Sequence, residues 1–196
     1  LLRFCRNPME KFLFRSLLKK TRKIHVLSSF NKIALLKLVP ELEDRVLLFP
    51  GAPARRLMGN ELKKRKRKEE KIKILCVGRI HPRKGQDRML AAISSLPDKL
   101  ANQIHCLLVG PVVKRKFYDK LKKIAGNLDC QVSFLGNLRD GELKTVYQEA
   151  DLFVMPSMPR EKSVEGFGFV YLEAASHGLP VIAHDTGGVK DAVQHG

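Results

Sequence analysis

Residues 165–183 read Glu165-Gly166-Phe167-Gly168-Phe169-Val170-Tyr171-Leu172-Glu173-Ala174-Ala175-Ser176-His177-Gly178-Leu179-Pro180-Val181-Ile182-Ala183. The order is a glycine-rich loop, a helix, a sharp stop and a buried strand. Gly178 suits the left-handed position just past a helix, and Pro180 cannot continue one. Glu165 therefore lies in the loop before the helix, and Glu173 lies one to two turns inside it. Free backbone amides at such a helix start form a seat for a phosphate or another anion. A carboxylate one turn further along can accept hydrogen bonds from both hydroxyls of a ribose. Anion seat and diol acceptor together describe a nucleotide site.

Working back from this stretch, the pattern is regular. Apolar runs at 73–78, 104–110, 132–136, 152–155 and 180–184 alternate with helical segments near 86–96, 115–127, 140–149, 168–177 and 188–195. Short runs that are apolar on both faces, separated by helices, indicate a parallel sheet covered on both sides. The runs end in turn residues: Gly78, Gly110-Pro111, Gly136 and Pro156. The fold class is α/β, a doubly wound parallel sheet, and ligands of such sheets bind at the carboxyl ends of the strands.

Upstream the signals are shorter. Residues 9–23 place Phe14, Leu17 and Leu18 on one helical stripe with cations opposite. This stripe fits a membrane surface, but packing against a further part of a larger protein is favoured. Residues 24–28 and 45–49 read as strands, with Ser29 capping a helix that runs to about Leu38. Beyond Pro50-Gly51-Ala52-Pro53 the periodicity stops and the chain becomes charged. Three parts follow: 1–53, a basic linker at 54–70, and the regular α/β region at 71–196. The first residue is not methionine and the last helical pattern is barely begun, so a fragment of a longer enzyme is expected.

The 196 residues carry 37 Lys and Arg against 20 Asp and Glu, a net charge of +17, which implies an anionic partner or surface. The run Lys63-Lys64-Arg65-Lys66-Arg67-Lys68 has no interleaved aromatic residue and no nucleic-acid motif accompanies it. An anionic lipid leaflet fits it, as does a solvated linker. Cys5, Cys76, Cys106 and Cys130 stand far apart and read as reduced, buried thiols. No apolar stretch is long enough to cross a membrane. His81, His105, His177 and His184 lack partners at useful spacing and read as surface or satisfied core residues.

After the first strand of the regular region comes Val77-Gly78-Arg79-Ile80-His81-Pro82-Arg83-Lys84-Gly85-Gln86-Asp87. Arg79 leaves the strand end and Lys84 precedes the next helix, so a guanidinium fork and an ammonium point charge form a diphosphate clamp. Arg83 is a third candidate cation. The segment is neither a dinucleotide fingerprint nor a P-loop. Gly78-Arg79 with Lys84-Gly85, Glu165-Gly166-Phe167-Gly168 with Glu173-Ala174, and Gly178-x-Pro180-Val181-Ile182 resemble the family 4 (group 1) retaining glycosyltransferases of the GT-B fold. The match is close over 71–196 and loose over 24–53.

That resemblance implies an active site distributed over these residues. Arg79 and Lys84 match the pair that holds the donor diphosphate and stabilises it as leaving group. Glu173 matches the glutamate on the ribose, and Glu165 the one on hydroxyls of the transferred sugar. Amides around Gly166, Phe167, Gly168 and Phe169 match those facing sugar and phosphates, and Leu138 matches a position near the nucleobase. The implied reaction retains the anomeric configuration by front-face displacement. Asp-x-Asp is absent, so a metal-independent enzyme is expected, with no cofactor beyond its nucleotide-sugar donor, GDP- or UDP-linked. In the family a separate acceptor domain supplies the other half of the site, so this chain is expected to bind nucleotide weakly and transfer nothing alone.

The partners implied are a nucleotide-sugar, a glycan or glycolipid acceptor such as a lipopolysaccharide core, and an anionic membrane surface at the cytoplasmic face; nucleic acid is not among them. Two alternatives stand beside this reading. One is a soluble relative of glycogen, sucrose or trehalose synthases, and the other is a basic nucleic-acid-binding module.

Overall fold

A computed structural model describes residues 7–59, 71–160 and 163–195. Cys5 and the basic run Lys63–Lys68 lie outside the described residues. The chain divides into two compact units: residues 1–52, 159–168 and 185–196 form the first, and residues 53–158 and 169–184 the second.

In the first unit, α1 (Pro8–Lys19) starts at Asn7, whose side chain accepts from the Glu10 amide at 2.7 Å. β1 (Ile24–Val26), α2 (Ser29–Leu38) and β2 (Val46–Leu48) follow, and the two strands pair in parallel with Ile24 opposite Val46. Val26, Leu35, Val39, Leu42 and Val46 make the core, with Leu18 and Ile24 packed against it. Two expectations need correction here. Ser28, not Ser29, caps α2: its backbone is extended and its Oγ accepts from the Asn31 amide at 3.2 Å, leaving Ser29 already helical. Leu17 does not share the packed stripe of Leu18, because it is 65% exposed.

The second unit holds β3 (Ile72–Val77), α3 (Gln86–Ser94), α4 (Asp98–Ala101), β4 (Ile104–Val109), α5 (Arg115–Ala125), β5 (Gln131–Gly136), α6 (Asp140–Glu149), β6 (Leu152–Met155), α7 (Phe169–Ser176) and β7 (Val181–Ala183). The strands form one five-stranded sheet in the order β5-β4-β3-β6-β7, every neighbouring pair parallel. This is the doubly wound α/β sheet expected from the alternation. Leu75, Cys76, Leu107, Leu108, Phe153 and Met155 fill its centre, while Met89, Leu90, Phe117, Leu121, Tyr147 and Tyr171 come from the helices. Strands buried on both faces need apolar residues at consecutive positions, which is why the runs carry no alternation. The strand order reverses between β3 and β6, and at that reversal the chain leaves adjacent strand ends in opposite directions. A crevice at their carboxyl ends follows from this topology.

The helix expected at 188–195 is a correction. Only a single 3-10 turn, Val189–Asp191, forms in this stretch of the first unit. Gly187 adopts φ 59°, and a Cβ at Gly187 or Gly188 would collide with the Glu165 or Gly166 carbonyl, so the chain turns hard against that backbone. Asp191 is held by the Ser29 hydroxyl at 2.9 Å, and one turn bracketed by glycines and β-branched valines does not propagate. Among the described residues, no helix is long and apolar enough to cross a membrane.

Candidate functional site

At the carboxyl end of β3 the chain passes through Gly78 and Arg79, and a 3-10 turn at Pro82–Lys84 leads into α3. His81 caps that turn, its Nδ1 accepting from the Arg83 amide at 3.0 Å. Gly85, at φ 73°, joins turn to helix, and a Cβ there would strike the Pro156 carbonyl at the end of β6. The Met158 amide donates to the Arg83 carbonyl at 2.8 Å, so the 78–85 loop is stitched to the β6 end across the strand-order reversal. Arg79 is exposed, and its carbonyl accepts from Gln86 Nε2 at 3.0 Å. Lys84 is only 9% exposed. Its Cε and Cδ lie 3.4 and 3.5 Å from where a Cβ on Gly78 would be, so its stem covers that glycine. The ammonium charge reaches the buried Cys76 thiol and partly opposes the upward shift that burial imposes on it. Arg83 does not face water: it is 8% exposed.

A second cluster of the same unit surrounds Glu173, the fifth residue of α7. α7 is fixed to the β6 end by the Tyr171 hydroxyl, which donates to the Met155 carbonyl at 2.9 Å. Glu173 is 8% exposed, which rules out a solvent-facing helix residue. Its Oε2 accepts from the Tyr147 hydroxyl of α6 at 2.8 Å. Burial raises its pKa and the Asp140 carboxylate adds to the rise, while the Tyr147 hydrogen bond and Arg56 oppose it. Arg56 pairs with Asp140, the first residue of α6, and both charges act on Glu173. His177 stacks on Tyr147, with centroids 5.3 Å apart and planes 6° from parallel. Its Nε2 donates to the Leu57 carbonyl at 2.8 Å.

Glu165, Gly166, Phe167 and Gly168 belong to the first unit. The Gly166 carbonyl accepts from Ser28 Oγ at 2.6 Å and from Asn31 Nδ2 at 3.2 Å, both from the start of α2. The Glu165 carbonyl accepts from the Gly188 amide at 2.9 Å. Glu165 and Phe167 are buried, and Phe169 opens α7 in the second unit.

Sequence reasoning singled out Arg79, Lys84 and Glu173 but missed Tyr147, Arg56, Ser28 and Asn31. Ser28 alone carried a readable signal, as a serine ahead of a helical pattern. His105 and His184 meet Ser133 Oγ and the Ser157 carbonyl at 2.8 and 3.1 Å, so with His81 and His177 each has a structural partner. Among the described residues no three His, Cys, Asp or Glu side chains cluster as metal ligands would.

Comparison with known proteins bears on the family and the fold. A GDP-mannose-dependent alpha-(1-6)-phosphatidylinositol monomannoside mannosyltransferase of Mycobacterium tuberculosis is 34% identical over 174 residues, covering 86% of this chain and 43% of the relative. The chain thus spans less than half of that relative's length. The structure of Anabaena HepE in complex with UDP and glucose superposes with a TM-score of 0.78 at 21% identity, over 97% of this chain and 52% of that one. WaaG, a glycosyltransferase involved in lipopolysaccharide biosynthesis, superposes with a TM-score of 0.69 at 26% identity, over 85% of this chain and 45% of its own. Residues 59–196 match the family described as glycosyl transferases group 1. The buried lysine and buried glutamate therefore sit on the α/β sheet of a GT-B protein, and the chain belongs to the glycosyl transferases group 1 family.

Proposed function

We propose that this chain is the donor-binding part of a retaining hexosyltransferase that uses a nucleotide-diphosphate sugar, with GDP-mannose the favoured donor. The observation that carries the reading is Lys84, buried over Gly78 at the β3 end where the strand order reverses. Lys84 stands with Arg79 at the strand ends where such sheets bind ligands, and an ammonium beside a guanidinium suits a diphosphate. The name of the M. tuberculosis relative supports mannose and GDP.

In this mechanism Arg79 and Lys84 bind the diphosphate and stabilise the charge that develops as the anomeric C–O bond breaks. The acceptor hydroxyl attacks the same face of the sugar, and the departing phosphate oxygen takes its proton. Glu173 accepts from the ribose hydroxyls, Glu165 accepts from hydroxyls of the transferred sugar, and amides from Gly166 to Phe169 face sugar and phosphates. Leu138 lies beside the base. Catalysis then rests on positioning and charge, with no covalent intermediate and no metal. The acceptor is a glycan or glycolipid of the cell envelope. A lipopolysaccharide core and an inositol-lipid headgroup both fit the names of WaaG and of the mycobacterial relative. The net charge of +17 supports work at an anionic membrane face.

Calorimetric titration with GDP-mannose, GDP, UDP-glucose and UDP tests the donor. Arg79→Ala and Lys84→Ala are each expected to weaken diphosphate binding by roughly 10-fold or more, the usual worth of a hydrogen bond to a charged group. Absence of binding by all four ligands, with RNA binding that survives both substitutions, overturns the proposal. Co-sedimentation with anionic vesicles at low salt tests the membrane partner.

A further inference from the structure

We propose that Tyr147 is the positioning residue for nucleotide recognition, holding Glu173 so that its second carboxylate oxygen is presented to the ribose diol. The inference rests on Glu173 being the ribose acceptor, and it adds a group from another helix to that site.

The geometry is specific. Tyr147 is fully buried, and its hydroxyl donates to one named oxygen, Glu173 Oε2, at 2.8 Å. A carboxylate on a helix turns freely about its last two bonds unless something holds it, and an unheld acceptor pays ordering entropy on binding. Tyr147 itself cannot swing away. One ring face lies against His177, 5.3 Å between centroids and 6° from parallel, and Phe153 packs at 6.2 Å. His177 is fixed in turn by the Leu57 carbonyl at 2.8 Å. Ser176 Oγ closes the helix turn below by donating to the Glu173 carbonyl at 2.7 Å. With Oε2 taken up by Tyr147, we assign Oε1 to the ligand. The same hydrogen bond favours the ionised carboxylate in a site where burial opposes it. Among the described residues, the other charged or titratable groups acting on this pair are Arg56 and Asp140 around Glu173 and Cys76 toward Tyr147.

The test compares GDP with 2′,3′-dideoxy-GDP, and UDP with its dideoxy form, on the full chain. Wild type is expected to prefer the intact ribose by on the order of 30-fold, as hydrogen bonds to a carboxylate allow. Tyr147→Phe keeps the ring and its stack. It is expected to cut that preference to about 5-fold or less while leaving dideoxy affinity within about twofold, a loss confined to one charge-assisted bond. The preference should also disappear at higher pH in Tyr147→Phe than in wild type as the solution is acidified. A merely structural tyrosine would instead weaken both nucleotide forms alike and leave the pH midpoint in place.

Glu173→Ala separates the two ideas. If it retains the full ribose preference, or if wild type shows none, Glu173 is not the ribose acceptor and both readings fail. If Glu173→Ala abolishes the preference and Tyr147→Phe does not, only the role of Tyr147 fails. Should Tyr147→Phe not fold, 3-fluorotyrosine can be incorporated, since the chain holds 3 tyrosines and each signal can be assigned by substitution. The Tyr147 fluorine resonance is expected to move with the intact ribonucleotide and stay still with the dideoxy form. Equal response to both overturns the proposal.

Discussion

Gly85→Ala is the sharpest single perturbation available, because the structure states why only glycine fits. Gly85 has φ 73°, a region that costs a residue with a Cβ roughly 1–2 kcal/mol. The new methyl group would also meet the Pro156 carbonyl, which is backbone and cannot rotate aside. Forcing such a shift typically costs about 1–3 kcal/mol. Alanine also restricts the unfolded chain, which offsets about 0.4–1 kcal/mol. The net expectation is a loss of about 2–4 kcal/mol, a drop in Tm on the order of 10 °C for a chain of this size. Gly141→Ala is the matched control. Gly141 lies in α6 without positive φ, and a Cβ there meets nothing within 4 Å. That substitution should stabilise by about 0.5–1 kcal/mol. Denaturant unfolding of the two variants beside wild type is the assay, with nucleotide titration alongside. Moving Pro156 disturbs the Met158–Arg83 hydrogen bond and the seat of Lys84, so Gly85→Ala should also bind GDP or UDP more weakly. If Gly85→Ala unfolds within about 0.5 kcal/mol of wild type, the range of an ordinary surface change, the argument from backbone conformation is refuted.

Three further outcomes are expected. Glu173→Gln should raise stability at pH 7 while weakening nucleotide binding. Burial raises the Glu173 pKa in the folded state, so the folded protein binds its proton more tightly, and the penalty of the ionised carboxylate grows as pH rises through that window. Unfolding midpoints measured down to acid pH should show the gain vanish once both states are protonated. Ser28→Ala removes the α2 cap and one donor to the Gly166 carbonyl, and should cost about 1–2 kcal/mol in denaturant unfolding. The thiols of Cys76, Cys106 and Cys130 are buried, with Cys76 pushed up to about 12. In a Cys5→Ser background they should resist labelling at pH 8 until the protein unfolds. Rapid native-state labelling would show the sheet centre to be open.

The α/β alternation was legible because the central strands β3, β4 and β6 are buried at consecutive positions, while the helices between them bury a single face. Burial of that kind is written locally, as apolar runs against a helical period, and the strand ends carry turn residues at Gly78, Gly136 and Pro156. The helix expected at 188–195 failed for a reason that local pattern omits. Gly187 and Gly188 are needed for close approach to Glu165 and Gly166, residues more than 20 positions away in the chain. Likewise, the loop of the first unit that holds Glu165 is tied to Ser28 and Asn31, and no periodicity announces a contact at such separation.

By itself, then, the amino-acid sequence determined the parallel sheet, the cations at the β3 end and the two glutamates around a glycine-rich turn. These are properties of short segments, set by burial period, backbone freedom and charge. Only the tertiary structure decided that Lys84 lies buried over Gly78, that Arg83 is covered, and that Glu173 is held by Tyr147. Those facts arise from packing between elements distant in sequence, where the cost of a buried charge or hydroxyl selects its partner after the fold has brought it near.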